Sequence, residues 1–212
     1  MKFRRKSADE KATEALGEET AAAGDADAVQ GPFDADDLPD DGAERVDLGS
    51  LLIAPPADRE LRMQVDEASG TVQSVMLAGP DGAVEIRAFA APRNGDLWSE
   101  VRPKIAADMA QRGGTASERE GRFGSELVCE IQVQRPEGNA VQHSRIVGIN
   151  GPRWMLRASL LGQPAVAPDD SAAWEDSIRK VVVHRGAHAM PVGESLPIVM
   201  PAQARRLDPP AN

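Results

Sequence analysis

Leu127-Val-Cys-Glu-Ile-Gln-Val133 alternates with a period of two, the pattern of a strand with one buried face. Leu127, Cys129, Ile131 and Val133 point one way; Val128, Glu130, Gln132 and Gln134 point the other. Pro136-Glu-Gly-Asn139 is turn chemistry, and a second strand runs from Val141 to Ile149. Asn150-Gly151-Pro152 carries the Asn-Gly hairpin signal, and a third strand from Arg153 to Leu161 sends Trp154, Leu156, Ala158 and Leu160 inward. Strands joined by such short turns are antiparallel neighbours.

Upstream, Leu61–Val65 and Thr71–Ala78 alternate in the same way. Gly79-Pro-Asp-Gly82 then turns the chain into a further alternating run at Val84, Ile86, Ala88 and Ala90. The period changes to helical at Leu97, Trp98, Val101, Ile105 and Met109. Asp96 caps that helix, Gly113-Gly114 ends it, and Pro103 falls inside it, where a bend is expected. Polar Thr115–Glu120 is not counted among the strands. A second helix is predicted from Asp169 or Asp170, with Trp174, Ile178 and Val181 on its apolar stripe; β-branched Val181–Val183 either extends it or begins a strand. The short apolar run Leu48–Ile53, stopped by Pro55-Pro56, docks onto the domain, and the proline-punctuated run Leu196–Pro201 closes it. The order of strands, helix, three strands and helix predicts an α+β domain. Its sheet is mainly antiparallel and covered on one face by two helices, with Trp98 and Trp174 in that layer and Trp154 facing them.

The chain has 212 residues and a net charge of −10, but the acidity is local. Met1–Asp47 holds 6 basic and 14 acidic residues, leaving 18 and 20 for the remainder. With only isolated apolar side chains, residues 1–47 bury too little surface to offset their ordering entropy and are expected to form a disordered tail. Residues 48–201 form a single domain, and 202–212 a disordered end. The basic start, Met1 to Lys6, is followed by no apolar stretch of a secretory signal, and no window is apolar enough to span a membrane, so the expected location is cytoplasmic. Aromatics are 3% with no Tyr, which argues against a stacking platform for single strands, and the net charge argues against a nucleic-acid partner. One cysteine excludes an intramolecular disulfide and a cysteine-cluster metal site.

Taking Pro136–Asn139 as a four-residue loop puts Glu130 opposite Arg145, and a three-residue loop at Asn150–Pro152 puts Arg157 beside Arg145 and Trp154 over Gly148. The outer face then carries a row Glu130–Arg145–Arg157 and, one step along, Val128–Val147–Met155. Like charges directly opposite call for a counter-anion, so Arg145 and Arg157, with Arg153 at the turn, are the candidate anion or partner contacts. Cys129 reads as a core filler, and His143 as a surface residue. His184 and His188 have HxxxH spacing, but Gly186 interrupts it and no third ligand is near. Asp36-Asp37 and Asp40-Asp41 fail the spacing of a calcium loop. No nucleophile elbow, phosphate-binding loop or dinucleotide fingerprint is present, so no catalytic residue, metal ligand or cofactor is assigned.

Arg45-Val-Asp-Leu-Gly-Ser-Leu-Leu-Ile53, Ala88-Phe-Ala-Ala-Pro-Arg93, Leu97-Trp98, Gly151-Pro-Arg-Trp154 with Leu156-Arg157, and Val181–Gly186 together resemble a bacterial family, domain of unknown function 3710, over about residues 47–201. The element order resembles the Mog1/PsbP-like α+β fold. The family resemblance brings no activity, cofactor or catalytic residue. The gene association it implies, with deoxyuridine triphosphate hydrolysis, points to nucleotide or DNA metabolism. The expected function is a non-catalytic interaction or scaffold module with a protein partner; the alternative is a small-anion or nucleotide-binding protein.

Overall fold

The computed structural model describes residues 31–205 except Pro39, Glu137 and Gln203. Seven strands form an antiparallel sheet in the order β4 (Glu60–Val65), β5 (Val72–Ala78), β6 (Gly82–Ala90), β10 (Trp154–Gly162), β9 (Gly138–Gly151), β8 (Gly124–Arg135) and β7 (Thr115–Gly121). A smaller sheet orders β1 (Phe33–Asp34), β11 (Val182–Val183), β3 (Leu51–Ile53) and β2 (Val46–Asp47), with β1 and β11 parallel. The helices are α1 (Leu97–Gln111), a short α2 (Gln163–Val166) and α3 (Ala172–Arg179). The class is α+β with mainly antiparallel sheets.

Polar Thr115–Gly121 is a strand because it is an edge: it pairs only with β8 and has one face to solvent, so it needs little apolar content. Asp169 and Asp170 lie in a 3₁₀ turn, and α3 starts after Ser171. Val182-Val183 is strand, not helix, its β-branched pair lying between β1 and β3. The expected tail boundary at Asp47 also moves. Phe33–Asp34 pairs with β11, and the Asp34 carboxylate accepts a 2.6 Å hydrogen bond from Trp154 Nε1, so partners distant in sequence hold an acidic segment that has no core of its own. Residues 1–30 and 206–212, the rest of the expected disordered ends, lie outside the described residues. The Leu196 run joins the sheet where β5 and β6 diverge: Leu196 N–H donates to Ala88 O at 2.8 Å, and Ile198 bridges Val72.

Both inner hairpins are tighter than the loop lengths taken from sequence. Arg135 pairs with Gly138 and Gly151 with Trp154, leaving two residues in each turn. At the second turn Arg153 adopts φ +61°, which closes the chain directly after Pro152. Glu130 therefore faces His143, Val128 faces Arg145, Leu160 faces Arg145, and Arg157 faces Gly148. The β9–β10 register differs from expectation by an odd number of residues, and parity does the rest: Arg145 and Arg157 lie on opposite faces.

The two helices also divide between the faces, correcting the single covered face. α3 brings Trp174 and Ile178 onto the face of Leu77, Ile86, Trp154, Leu156 and Leu160, where the small sheet adds Leu51, Ile53 and Val183. On the other face α1 brings Leu97, Trp98 and Met109 onto Leu127, Cys129, Ile146 and Met155. Asp96 fixes where α1 begins, accepting from Ser99 N–H at 3.0 Å and from Asn150 Nδ2 at 2.7 Å. Gly148 does carry an indole, but that of Trp98 rather than Trp154: a Cβ on Gly148 would overlap the Trp98 ring. Pro103 is exposed on α1, which runs unbroken from Leu97 to Gln111. Gly148→Ala is expected to displace Trp98 and lower stability by about 1–3 kcal/mol in urea unfolding, with no change at the distant Trp174.

Candidate functional site

The three expected contacts do not converge. Arg145 is fully buried on the α3 side. Its Nη2 lies 2.6 Å from Glu175 Oε1, its Nη1 donates to Ser171 Oγ at 3.0 Å, and its Nε is 3.6 Å from Glu126 Oε2. Arg119 Nε sits 2.7 Å from the other oxygen of Glu126, and Arg122 reaches Asp176 at 2.9 Å. Neither oxygen of the buried Glu126 accepts an aligned hydrogen bond. Burial pushes the Glu126 carboxyl above its ordinary range, against the pull of Arg145 and then Arg119. This cluster ties β7, β8 and β9 to α3; its cations are answered by carboxylates, and it offers an incoming anion no open guanidinium at Arg145. Arg153 is exposed at its turn, where its carbonyl accepts from Ala91 N–H and Arg185 Nε.

Arg157 is on the other face, and directly opposite it stands Arg87 of β6. The Arg145–Arg157 pair expected from sequence does not form; Arg157 faces Arg87 instead. Along β6, Val84, Ile86, Ala88 and Ala90 are buried, while Glu85, Arg87 and Phe89 are half-buried, as are Met76 of β5 and Ser159 of β10. α1 covers only the β7–β9 half of this face, so these side chains form a helix-free floor. The guanidinium of Arg157 is 5.2 Å from the Phe89 ring centre, and that of Arg87 5.9 Å. Among the described residues neither has a carboxylate within 4.0 Å, and Arg87 Nε is buried without a hydrogen-bond partner. Burial and then neighbouring Arg87 hold the Arg157 guanidinium below its ordinary value, with Glu85 acting the other way. The register that would have revealed Arg87 joins strands separated in sequence by α1 and three further strands. Only its outward parity with Phe89 was available from sequence.

Two hollows, of about 530 and 390 Å³, lie beside Arg45, Val46 and Val199, and beside His143 and Leu161. Arg145, Arg153 and Arg157 line neither. Cys129 is buried and its thiol pushed up by burial. Among the described residues no group of three or more His, Cys, Asp and Glu side chains is placed to hold a metal, and no helix is long and apolar enough to cross a membrane.

Fold and surface together define an α+β module with an apolar core on each side of one sheet and an arginine-bearing half-face between helix and edge. The chain belongs to the family described as Protein of unknown function (DUF3710), which it matches over residues 31–207. No curated protein matches it. Among solved structures it is similar to a crystal structure from Bacteroides thetaiotaomicron VPI-5482, with 14% identity, TM-score 0.40, and coverage of 67% of this chain and 48% of that one. The chain thus spans about half the length of that relative. It is also similar to the solution structure of cyanobacterial PsbP (CyanoP) from Synechocystis sp. PCC 6803, with 11% identity, TM-score 0.40, and coverage of 66% and 92%. Likeness at this level carries no functional argument.

Arg145→Met leaves Glu126 and Glu175 buried beside fewer charges and is expected to cost about 3–5 kcal/mol, with the Arg145→Met, Glu126→Leu double variant recovering part of it, since Glu175 keeps only Ser171 and the more distant Arg122. In the single variant the Glu126 carboxyl rises further above its unfolded value. Its protonated form is then favoured by folding, so the deficit is largest at neutral pH and shrinks as pH falls toward about 4. Urea unfolding of the three proteins across that range checks both. At the other site, in a chain whose seven acidic residues between positions 9 and 27 are changed to Asn or Gln, raising salt from about 0.01 to 0.15 M is expected to stabilise the protein more than its Arg87→Gln variant, because salt screens the Arg87–Arg157 repulsion.

Proposed function

We propose that this protein is a non-catalytic interaction module that docks an acidic protein segment on the helix-free half of its sheet. One observation carries the reading. Arg87 and Arg157 are directly opposite on neighbouring strands, with no carboxylate paired to either among the described residues. Two half-buried like charges in register destabilise a sheet unless an anion lies between them. A carboxylate or phosphate accepting from both guanidiniums replaces that repulsion with charge-assisted hydrogen bonds. Phe89 and Met76 flank the pair, so a bound chain would meet apolar as well as charged surface. The same guanidinium pair favours a second reading, a small-anion or nucleotide site. The open floor supports it less, since small-molecule sites are concave and enclose most of their ligand.

Titration of a fluorescent hexaglutamate peptide, with inorganic phosphate as competitor, separates the readings. In a chain whose seven acidic residues between positions 9 and 27 are changed to Asn or Gln, the peptide is expected to bind in a salt-dependent manner and to weaken about tenfold, near 1.4 kcal/mol, when either Arg87→Gln or Arg157→Gln is added. Binding unchanged in both variants removes the proposal. Full displacement by equimolar phosphate moves the assignment to the small-anion reading.

A further inference from the structure

We infer that the acidic residues 7–30 of this same chain are an occupant of the Arg87–Arg157 floor, held there until a competing acidic partner displaces them; the inference rests on the docking reading above. Residues 7–30 hold seven acidic side chains, Asp9, Glu10, Glu14, Glu18, Glu19, Asp25 and Asp27, against the single cation Lys11. The floor offers what they lack: two guanidiniums in register without ion-pair partners among the described residues, one with a buried and unbonded Nε.

The attachment point is close by. Phe33 N–H donates to Val181 O at 2.9 Å, and Asp34 accepts from Trp154 Nε1. Trp154 begins β10, three positions before Arg157, or about 10 Å along the strand. The path from Asp34 must still round the end of the sheet to reach the opposite face. Glu19 lies twelve positions before Gly31, a reach of up to about 40 Å when extended. Asp9–Glu19, with that reach and five of the seven acidic side chains, is the contacting stretch the inference names. Tethering converts a weak charge contact into an intramolecular one at an effective concentration that a free peptide must outcompete.

The test uses the full chain. A nitroxide is attached at Leu16→Cys; Cys129 is fully buried and remains unlabelled. Paramagnetic broadening is expected at the amides of Glu85, Arg87 and Ser159 at low salt. It should vanish in Arg87→Gln, Arg157→Gln and when all seven acidic residues are changed to Asn or Gln. Hexaglutamate should bind that neutralised chain at least about tenfold more tightly than the wild type, because a floor occupied nine-tenths of the time lowers apparent affinity by that factor. Equal hexaglutamate affinity for the two chains, without broadening, overturns the inference and leaves the docking reading standing. Hexaglutamate binding to neither chain overturns both.

Discussion

The two-residue turn between β9 and β10 is the constraint on which the rest depends. Arg153 accepts a left-handed φ so that Gly151 and Trp154 can pair, and this assigns each side chain of β10 its face relative to β9. One more residue in that turn would exchange the faces. Trp154, Leu156 and Leu160 would then be on the α1 side and Arg157 on the α3 side, while Arg145 and Gly148 kept the faces that pairing with β8 gives β9. The left-handed conformation costs of order 1 kcal/mol for a residue with a Cβ. That cost is small beside the placement of two cores.

Around Arg145 the fold spends charge on architecture. A guanidinium with no exposed surface is tolerable only among carboxylates, and Glu126 and Glu175 supply them from a strand and a helix distant in sequence. Such a cluster is weak evidence for stability, because apolar residues of the same volume often do as well. It is strong evidence for geometry, since removing one member strands another. Here it binds the β7–β9 end of the sheet to α3, an end where few large apolar side chains are available from Val128 and Val147 alone.

On the opposite face the same residue type has the opposite situation. Arg87 and Arg157 are half-buried, flank Phe89, and have no paired carboxylate among the described residues, beside a helix that covers only part of the sheet. Arg145 is satisfied internally and serves the fold, whereas Arg87 and Arg157 have no paired carboxylate among the described residues, which is what the proposed docking role rests on. The distinction lies in their neighbours. It is why the proposed binding role falls on the helix-free floor and not on the buried cluster.

The local periods were legible without coordinates. Alternation in Leu127–Val133 and Val84–Ala90, the helical stripe from Leu97 to Met109, its Asp96 cap and the Gly79–Gly82 turn follow from side-chain geometry within a few residues, and with them the α+β class. The expected Arg145–Arg157 pair did not form, because the register put Arg145 on the other face and Arg87 opposite Arg157. What sequence reasoning could not supply was which strand lies beside which, and in what register. Pairing of β6 with β10 is decided by the burial of two cores and by turn closure at Arg153, both long-range terms. The same terms drew Phe33–Asp34 onto the domain, made a strand of polar Thr115–Gly121, and sent the helices to opposite faces. Local chemistry specifies the elements, but a side chain acquires its partner only when distant segments compete for the same buried surface.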